Sequence, residues 1–189
     1  VTYNVYYNDD YIAAEYSFDT TRKSGELAEL LKGGASIADV VDPMYFQERT
    51  RVLIDHLHSS EYVNAVETGR PYELAESQGF GWDRGIPTMA VAHSAGLVAA
   101  VHDVLTGSNQ VAGSLSSGLH HARRGRGVGF CTYNGLAVAW CAASELGVER
   151  VLVLDLDAHC GGGTRSMTDP ESVVQIDVST VLFDLWTPV

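Results

Sequence analysis

The chain is expected to adopt an α/β fold around a mostly parallel sheet, and three observations predict it. Short β-prone runs alternate with longer helix-like segments along the 189 residues, the pattern of strand–helix units. Residues 151–154 read Val-Leu-Val-Leu, with Leu156 beyond one acid, between polar and glycine-rich flanks. A strand buried on both faces of a parallel sheet reads this way. That run ends in Asp155, Asp157 and His159, then glycines, and in open α/β folds functional groups collect where loops leave the carboxyl ends of strands.

Residues 1–7, rich in Tyr and Val, predict the first strand, and Asn8-Asp9-Asp10 a turn. A helix is expected over 24–31, with Ser24 as N-cap and Gly33-Gly34 closing it. A second spans about 43–58, with Asp42 as N-cap and Pro43 in the first position. Tyr45, Val52, Leu53, His56 and Leu57 form a stripe on it at helical spacing, read as core packing. Residues 61–67 predict a third helix, closed by Gly69. Residues 70–87 read as loop around Trp82 and Asp83. A long helix comes next over roughly 88–105, its Ala90, Ala92, Ala95, Gly96, Ala99 and Ala100 suited to close packing. Residues 110–112 are a short strand. Residues 113–130, rich in Gly and Ser, are too long for an ordinary connection, and such loops are often functional. Residues 133–146 form a helix ending at Gly147, and 173–178 the next strand. No internal repeat or interdomain linker interrupts the chain.

Composition narrows the class. With 46% hydrophobic residues the chain suits one globular domain with a sizeable core. No apolar run is expected to be long enough to span a bilayer, and the start Val-Thr-Tyr-Asn-Val-Tyr-Tyr lacks the pattern of a signal peptide, so a cytoplasmic protein is expected. Cys131, Cys141 and Cys160 make an odd count without CxxC spacing, which predicts reduced thiols. The net charge of −12 argues against nonspecific nucleic-acid binding. It is compatible with a cationic substrate, and equally with simple solubility.

Asp157 and His159 are two apart, so an extended segment projects both from one face. A carboxylate and an imidazole there suit zinc or a similar divalent ion; a strand end capped by polar groups is the plainer alternative. His120 and His121 are adjacent and leave an extended loop in different directions. One could lie buried against a carboxylate and the other face a substrate as general base, or both could be incidental.

Three blocks then carry a resemblance: Gly-Leu-His-His-Ala (118–122), Gly-Phe-Cys-Thr-Tyr-Asn (129–134) and Asp-Leu-Asp-Ala-His-Cys-Gly-Gly-Gly-Thr (155–164). In this order they resemble the zinc-dependent histone deacetylase and acetylpolyamine amidohydrolase family, part of the arginase–deacetylase superfamily. His58-Ser59-Ser60-Glu61-Tyr62-Val63 and Gly81-Trp82-Asp83 are similar to further family segments. The resemblance implies a three-layer α/β/α fold and hydrolysis of an acyl amide on acetyl-lysine, an acetylpolyamine or a similar amine. Asp157 and His159 would bind zinc, with ferrous iron as the alternative. His121 would be the general base, and His120 the buried partner bonded to Asp155. Asp83 would anchor substrate at the rim, and Gly129 and Phe130 would line the acyl channel. Oxygens of Asp155, Asp157 and His159, with a group near Ser179, could hold a structural potassium ion. No membrane or direct nucleic-acid partner is expected, and a homo-oligomer is left open. The two-metal arginase type needs a carboxylate where this chain has Gly161, which favours a single metal.

The sequence also departs from that pattern. The family's third metal ligand is an Asp further downstream, and Asp169, Asp177 and Asp184 fall too early to match it. Its oxyanion-stabilising tyrosine has no counterpart, a donor whose loss can cost about 100- to 1000-fold in rate. Cys160 replaces a histidine. Gly162 stands where an Asp or Asn orients the base, which would leave His121 without its usual partner. These departures predict one deacetylase-like domain over 1–189 that lacks its C-terminal part, the remainder coming from a longer protein or another chain. They also define a rival reading, a catalytically impaired binding or regulatory domain.

Other features read more simply. Cys160 is expected to be an interior thiol and Arg123-Arg124-Gly125-Arg126 a solvated loop face. Gly161-Gly162-Gly163-Thr164 lacks the ending of a P-loop and reads as a tight turn under the metal site. Ser114, Ser116 and Ser117 lack a nucleophile elbow.

Overall fold

The computed structural model describes residues 3–14, 19–34, 38–107 and 109–187. In chain order the elements are β1 (Tyr3–Tyr6), α1 (Asp19–Gly34), β2 (Ala38–Val41), α2 (Gln47–Leu57), α3 (Ser60–Thr68), the single turn α4 (Tyr72–Ala75), α5 (Gly85–Thr106), β3 (Ala112–Ser114), α6 (Gly135–Glu145), β4 (Val151–Asp155), α7 (Gly162–Met167) and β5 (Val173–Asp177). Short 3-10 turns lie at Asp9–Ile12 and Met44–Phe46. β1 sits between β2 and β3, with Val5 opposite Val40 on one side and Gly113 on the other. β4 pairs with β5, Leu154 opposite Ile176. All of these pairings are parallel. Among the described residues the strands therefore form two sheets, and an apolar cleft of about 480 Å³ lies between β3 and the start of β4 over Leu97, Val101 and Leu136.

The core is built on α5. Ile86, Met89, Ala90, Val91, Ala95, Val98 and Ala99 are buried along it, packed with α2, α3 and α6. Its small residues do what their size predicts: a Cβ on Gly96 would fall 1.7 Å from the Tyr11 hydroxyl. By length and apolarity α5 would suit a bilayer span, which corrects the expectation that no run is long enough. A helix buried on most of its circumference inside a protein has the same composition.

Other expectations are also corrected. Ser24 lies inside α1 and is no N-cap, because the helix begins at Asp19. β2 has no counterpart among the expected elements, and α4 interrupts the 70–87 loop. β3 begins at the end of the expected 110–112 strand. The buried stripe of α2 is Thr50, Leu53, Ile54 and Leu57; Tyr45 is 90% exposed and Val52 half-exposed. β4 is not buried on both faces, for Leu152 is 62% and Leu154 56% exposed. The helix expected from Pro43 begins as a 3-10 turn over Met44–Phe46, and α2 itself starts at Gln47; Asp42 Oδ1 accepts the Met44 N–H at 2.8 Å and so caps that turn, not α2. Gly69 closes α3 as expected, in the left-handed conformation, φ 73°, and Ser59 Oγ caps its start by accepting from Tyr62 N.

His58, between α2 and α3, ties this framework to the site loop. Its Nδ1–H donates to the Arg123 carbonyl at 3.0 Å, and its Nε2 accepts the Asn134 N–H at 3.2 Å. Burial pushes its pKa down to about 4 from the ordinary 6.5. The unfolded chain therefore takes up a proton near pH 6.5 that the folded chain refuses until about pH 4, so stability falls as pH drops through that window. Urea unfolding should show roughly 2–3 kcal/mol lost from this group between pH 7 and 4.5. His58→Gln should flatten that slope; an unchanged slope would refute the assignment.

Candidate active site

The loop leaving β4 curls because each acid accepts from the backbone two residues on. Asp155 Oδ1 takes the Asp157 N–H at 3.0 Å, and Asp157 Oδ1 the His159 N–H at 2.8 Å. β5 pins the glycine run beyond them: Gly161 N donates to Asp177 Oδ2 at 2.8 Å, and Gln175 Nε2 to the Gly161 carbonyl at 2.9 Å. The glycines are required by close approach. A Cβ on Gly163 would lie 2.4 Å from the His120 carbonyl oxygen and from the His121 carbonyl carbon and oxygen. The tight turn expected here is corrected: Gly161 precedes the short helix α7, and Gly162, Gly163 and Thr164 open it.

This helix start packs against the histidine pair. His120 Nδ1 lies 2.5 Å from Asp155 Oδ2, and its Nε2 lies 3.1 Å from His121 Nε2. Burial works to lower the His120 pKa, but the Asp155 hydrogen bond and charge outweigh it, and the net shift is upward. Burial likewise works to raise Asp155, and the His120 hydrogen bond reverses it. For His121 burial prevails over its carboxylate partner, and the pKa is lowered. His120 is thus the better proton holder. The Nδ1 atoms face carboxylates, Asp155 for His120 and Asp184 for His121, and both Nε2 atoms lie at the cavity side of the pair.

Asp157 completes the constellation. Its Oδ1 lies 3.6 Å from His120 Nε2 and 3.1 Å from His159 Nδ1. Ligand atoms of His120, His121 and Asp157 lie within 4.8 Å of one another. A half-exposed carboxylate beside imidazole nitrogens is a donor set that zinc or ferrous iron would fit. Of the other carboxylates weighed as ligands, Asp169 accepts from Ser172, and Asp177 from Gly161, Gln175 and Trp186. Ser179 Oγ donates to the His159 carbonyl at 2.8 Å, bringing the end of β5 against this loop.

Above these groups opens a cavity of about 280 Å³, whose walls include Met89 and His93 of α5, Gly129, and the rings of Phe80 and Phe130. Residues 128–131 form a two-residue hairpin, with Cys131 N donating to the Val128 carbonyl at 2.9 Å. Gly129 and Phe130 both have positive φ, 54° and 65°, the signature of a type I′ turn. Gly129 has no alternative: a Cβ would meet the His121 ring at 2.5 Å. Phe130 accepts an unfavourable backbone, and its ring lies 5.3 Å from that of Phe80. Asp83 stands just before α5, where its Oδ1 accepts the Gly85 N–H at 2.6 Å.

Three residues of the site are not evident in the sequence. Asn134 is fully buried; its Oδ1 caps α6 through Ala137 N, and its Nδ2 donates to the Ala122 carbonyl at 2.9 Å. An Asn before an apolar helix is the available signal. Phe80 has none beyond its place beside two glycines. Asp184 is the third, and it corrects the expectation that Gly162 leaves His121 unpartnered. His121 Nδ1 lies 3.0 Å from Asp184 Oδ2. Arg123 pairs with the same carboxylate, and Arg124 donates to the Leu57 carbonyl at 3.1 Å; the loop face is solvated as expected, with Arg124 and Arg126 exposed, and two of its three arginines also anchor it. Cys160 is interior, as expected, its Sγ near the Val181 carbonyl. Cys131 is buried, with its thiol pushed up to about 12.

Parallel strands with helices packed on them, and chemistry at the carboxyl end of β4, define a three-layer α/β/α fold of the arginase–deacetylase type. The HD domain of HDA15, a crystal structure, superposes with a TM-score of 0.70 at 20% identity, over 92% of this chain and 54% of that one. Residues 17–180 match the family model described as the histone deacetylase domain. The chain belongs to the histone deacetylase family. The acetoin utilization protein AcuC of Bacillus subtilis is 36% identical over 137 residues, 67% of this chain and 34% of AcuC. Histone deacetylase 15 of Arabidopsis thaliana is 31% identical over 135 residues, 70% of this chain and 24% of that protein. The chain thus spans about a third or less of these two relatives.

Proposed function

We propose that the site hydrolyses an acyl amide of a primary amine, such as acetyl-lysine or an acetylpolyamine. The observation that carries this reading is the convergence of His120 Nε2, His121 Nε2 and an Asp157 oxygen at the cavity walled by Phe80 and Phe130. Asp157 and His159 would hold a zinc or ferrous ion. When bound, that ion supplies polarisation of the amide carbonyl and a water of lowered pKa. His121, held neutral, takes the water's proton on Nε2; His120, backed by Asp155, holds a proton for the departing amine. Phe130 and Phe80 grip the alkyl stem, which an apolar wall suits better than a charged one. The oxygens of Asp155, Asp157 and His159 beside Ser179 would seat a potassium ion.

The rival binding-domain reading loses one of its supports, the departure at Gly162, once His121 has Asp184 beside it. The test is turnover of an acetyl-lysine peptide and an acetylated diamine by the zinc-loaded protein. His121→Ala should lower kcat about 100- to 10,000-fold while zinc uptake persists. Turnover that survives the substitution would remove His121 from the role of base.

A further inference from the structure

We infer that Asp184 is the positioning residue of the general base, supplying from a later segment the carboxylate that position 162 lacks. The role deepens the proposed hydrolysis and rests on it; the geometry does not. Asp184 Oδ2 lies 3.0 Å from His121 Nδ1 and 2.9 Å from Gly163 N, while its Oδ1 faces the Arg123 guanidinium. The carboxylate is 5% exposed, so these partners replace its water. A buried charge held by a backbone N–H and a guanidinium keeps a fixed direction. That direction presents an acceptor to Nδ1, holds His121 as the Nδ1–H tautomer and leaves the Nε2 lone pair facing the cavity.

The exchange between positions 162 and 184 can be read in the packing. A Cβ on Gly162 would lie 2.3 Å from the Asp184 carbonyl oxygen, 2.6 Å from its Oδ1 and 2.8 Å from its Cγ. A side chain at 162 and the Asp184 carboxylate compete for one place, so the glycine is a condition for the later residue to enter. Asp184 enters with a left-handed backbone, φ 59°, uncommon outside glycine and costing on the order of 1 kcal/mol or more. The surrounding segment holds it there. Cys160 N donates to the Phe183 carbonyl at 3.0 Å, and Trp186 Nε1 to Asp177 Oδ2 at 2.6 Å. The Phe183 ring meets His121 edge-on at 4.9 Å and His159 at 5.7 Å. One short segment thus both wedges the base ring and bonds it.

A loop staple between Arg123 and Asp184 would explain the ion pair alone; it would not fix the His121 tautomer. The test is histidine 15N NMR of the protein, with turnover measured beside it. Wild type should show His121 protonated on Nδ1, in a strongly downfield proton signal. Asp184→Asn, near-isosteric and so expected to fold, should move that signal upfield and mix the tautomers. In the zinc-loaded protein it should lower kcat about 10- to 100-fold, with KM within about twofold. An Nε2–H tautomer in wild type overturns the proposal without any variant. So does an Asp184→Asn protein with unchanged tautomer or unchanged kcat. Should wild type turn over no acyl amide, the proposed hydrolysis fails, and the wild-type and variant tautomers still decide whether Asp184 orients His121.

Discussion

Asp157→Ala is expected to abolish tight zinc uptake by this chain. Asp157 is where the site's two halves meet: its Oδ1 lies 3.6 Å from His120 Nε2 and 3.1 Å from His159 Nδ1. Removing it leaves imidazoles alone, and zinc sites draw on carboxylate as well as nitrogen for charge and geometry. The side chain is half-exposed, so the fold should survive. Calorimetric titration should give one equivalent for wild type and an affinity weakened more than about 100-fold for the variant, a larger loss than changing a residue behind a ligand. Zinc bound by Asp157→Ala with wild-type affinity would place the ion elsewhere.

Gly163→Ala is expected to destabilise the fold by about 3 kcal/mol, the upper range for overpacking. Three atoms within 2.4 Å of the new Cβ belong to the backbone of His120 and His121, and backbone cannot rotate aside. Relief requires moving either the start of α7 or the histidine pair, and that pair's backbone is fastened by Asn134 and Thr164. Gly33→Ala is the contrast. Nothing lies within 4 Å of its Cβ, it sits in α1, and a gain of about 0.5–1 kcal/mol is expected there. Denaturant unfolding of both variants is the check; equal effects would mean the loop yields more easily than its packing implies.

The legible parts of the sequence are those governed by local rules. The Gly69 cap, the long small-residue helix and the strand ending in Asp155 come from short-range chemistry, and the structure has them. Strand exposure is not legible: a Val-Leu alternation is apolar on both faces whichever face is covered, so Leu152 and Leu154 read as buried. The α2 stripe fails for a related reason, since the buried Thr50 looks polar and the exposed Tyr45 apolar. At the site, His120, His121, Asp157 and His159 stand out because they cluster in two short blocks. Asp184 does not, because nothing local distinguishes an acid 63 positions from its histidine. Gly162 can be read in the sequence as a loss only; that its emptiness admits another residue is a three-dimensional fact.

The distance along the chain between His121 and Asp184 also sets an order of events. On a ribosome, which builds from the amino terminus, α5 and α6 emerge early and can pack on each other. His120 can meet Asp155, 35 positions further along, as soon as β4 is out, while His121 waits for the segment beyond β5 that carries Asp184. A chain interrupted or clipped ahead of Asp184 could keep its aromatic walls and the His120–Asp155 pair. It would still lack the carboxylate that faces His121 Nδ1. Of the two histidine–carboxylate pairs, the one made by His121 is therefore synthesised second, and a single proteolytic cut ahead of Asp184 is enough to remove it.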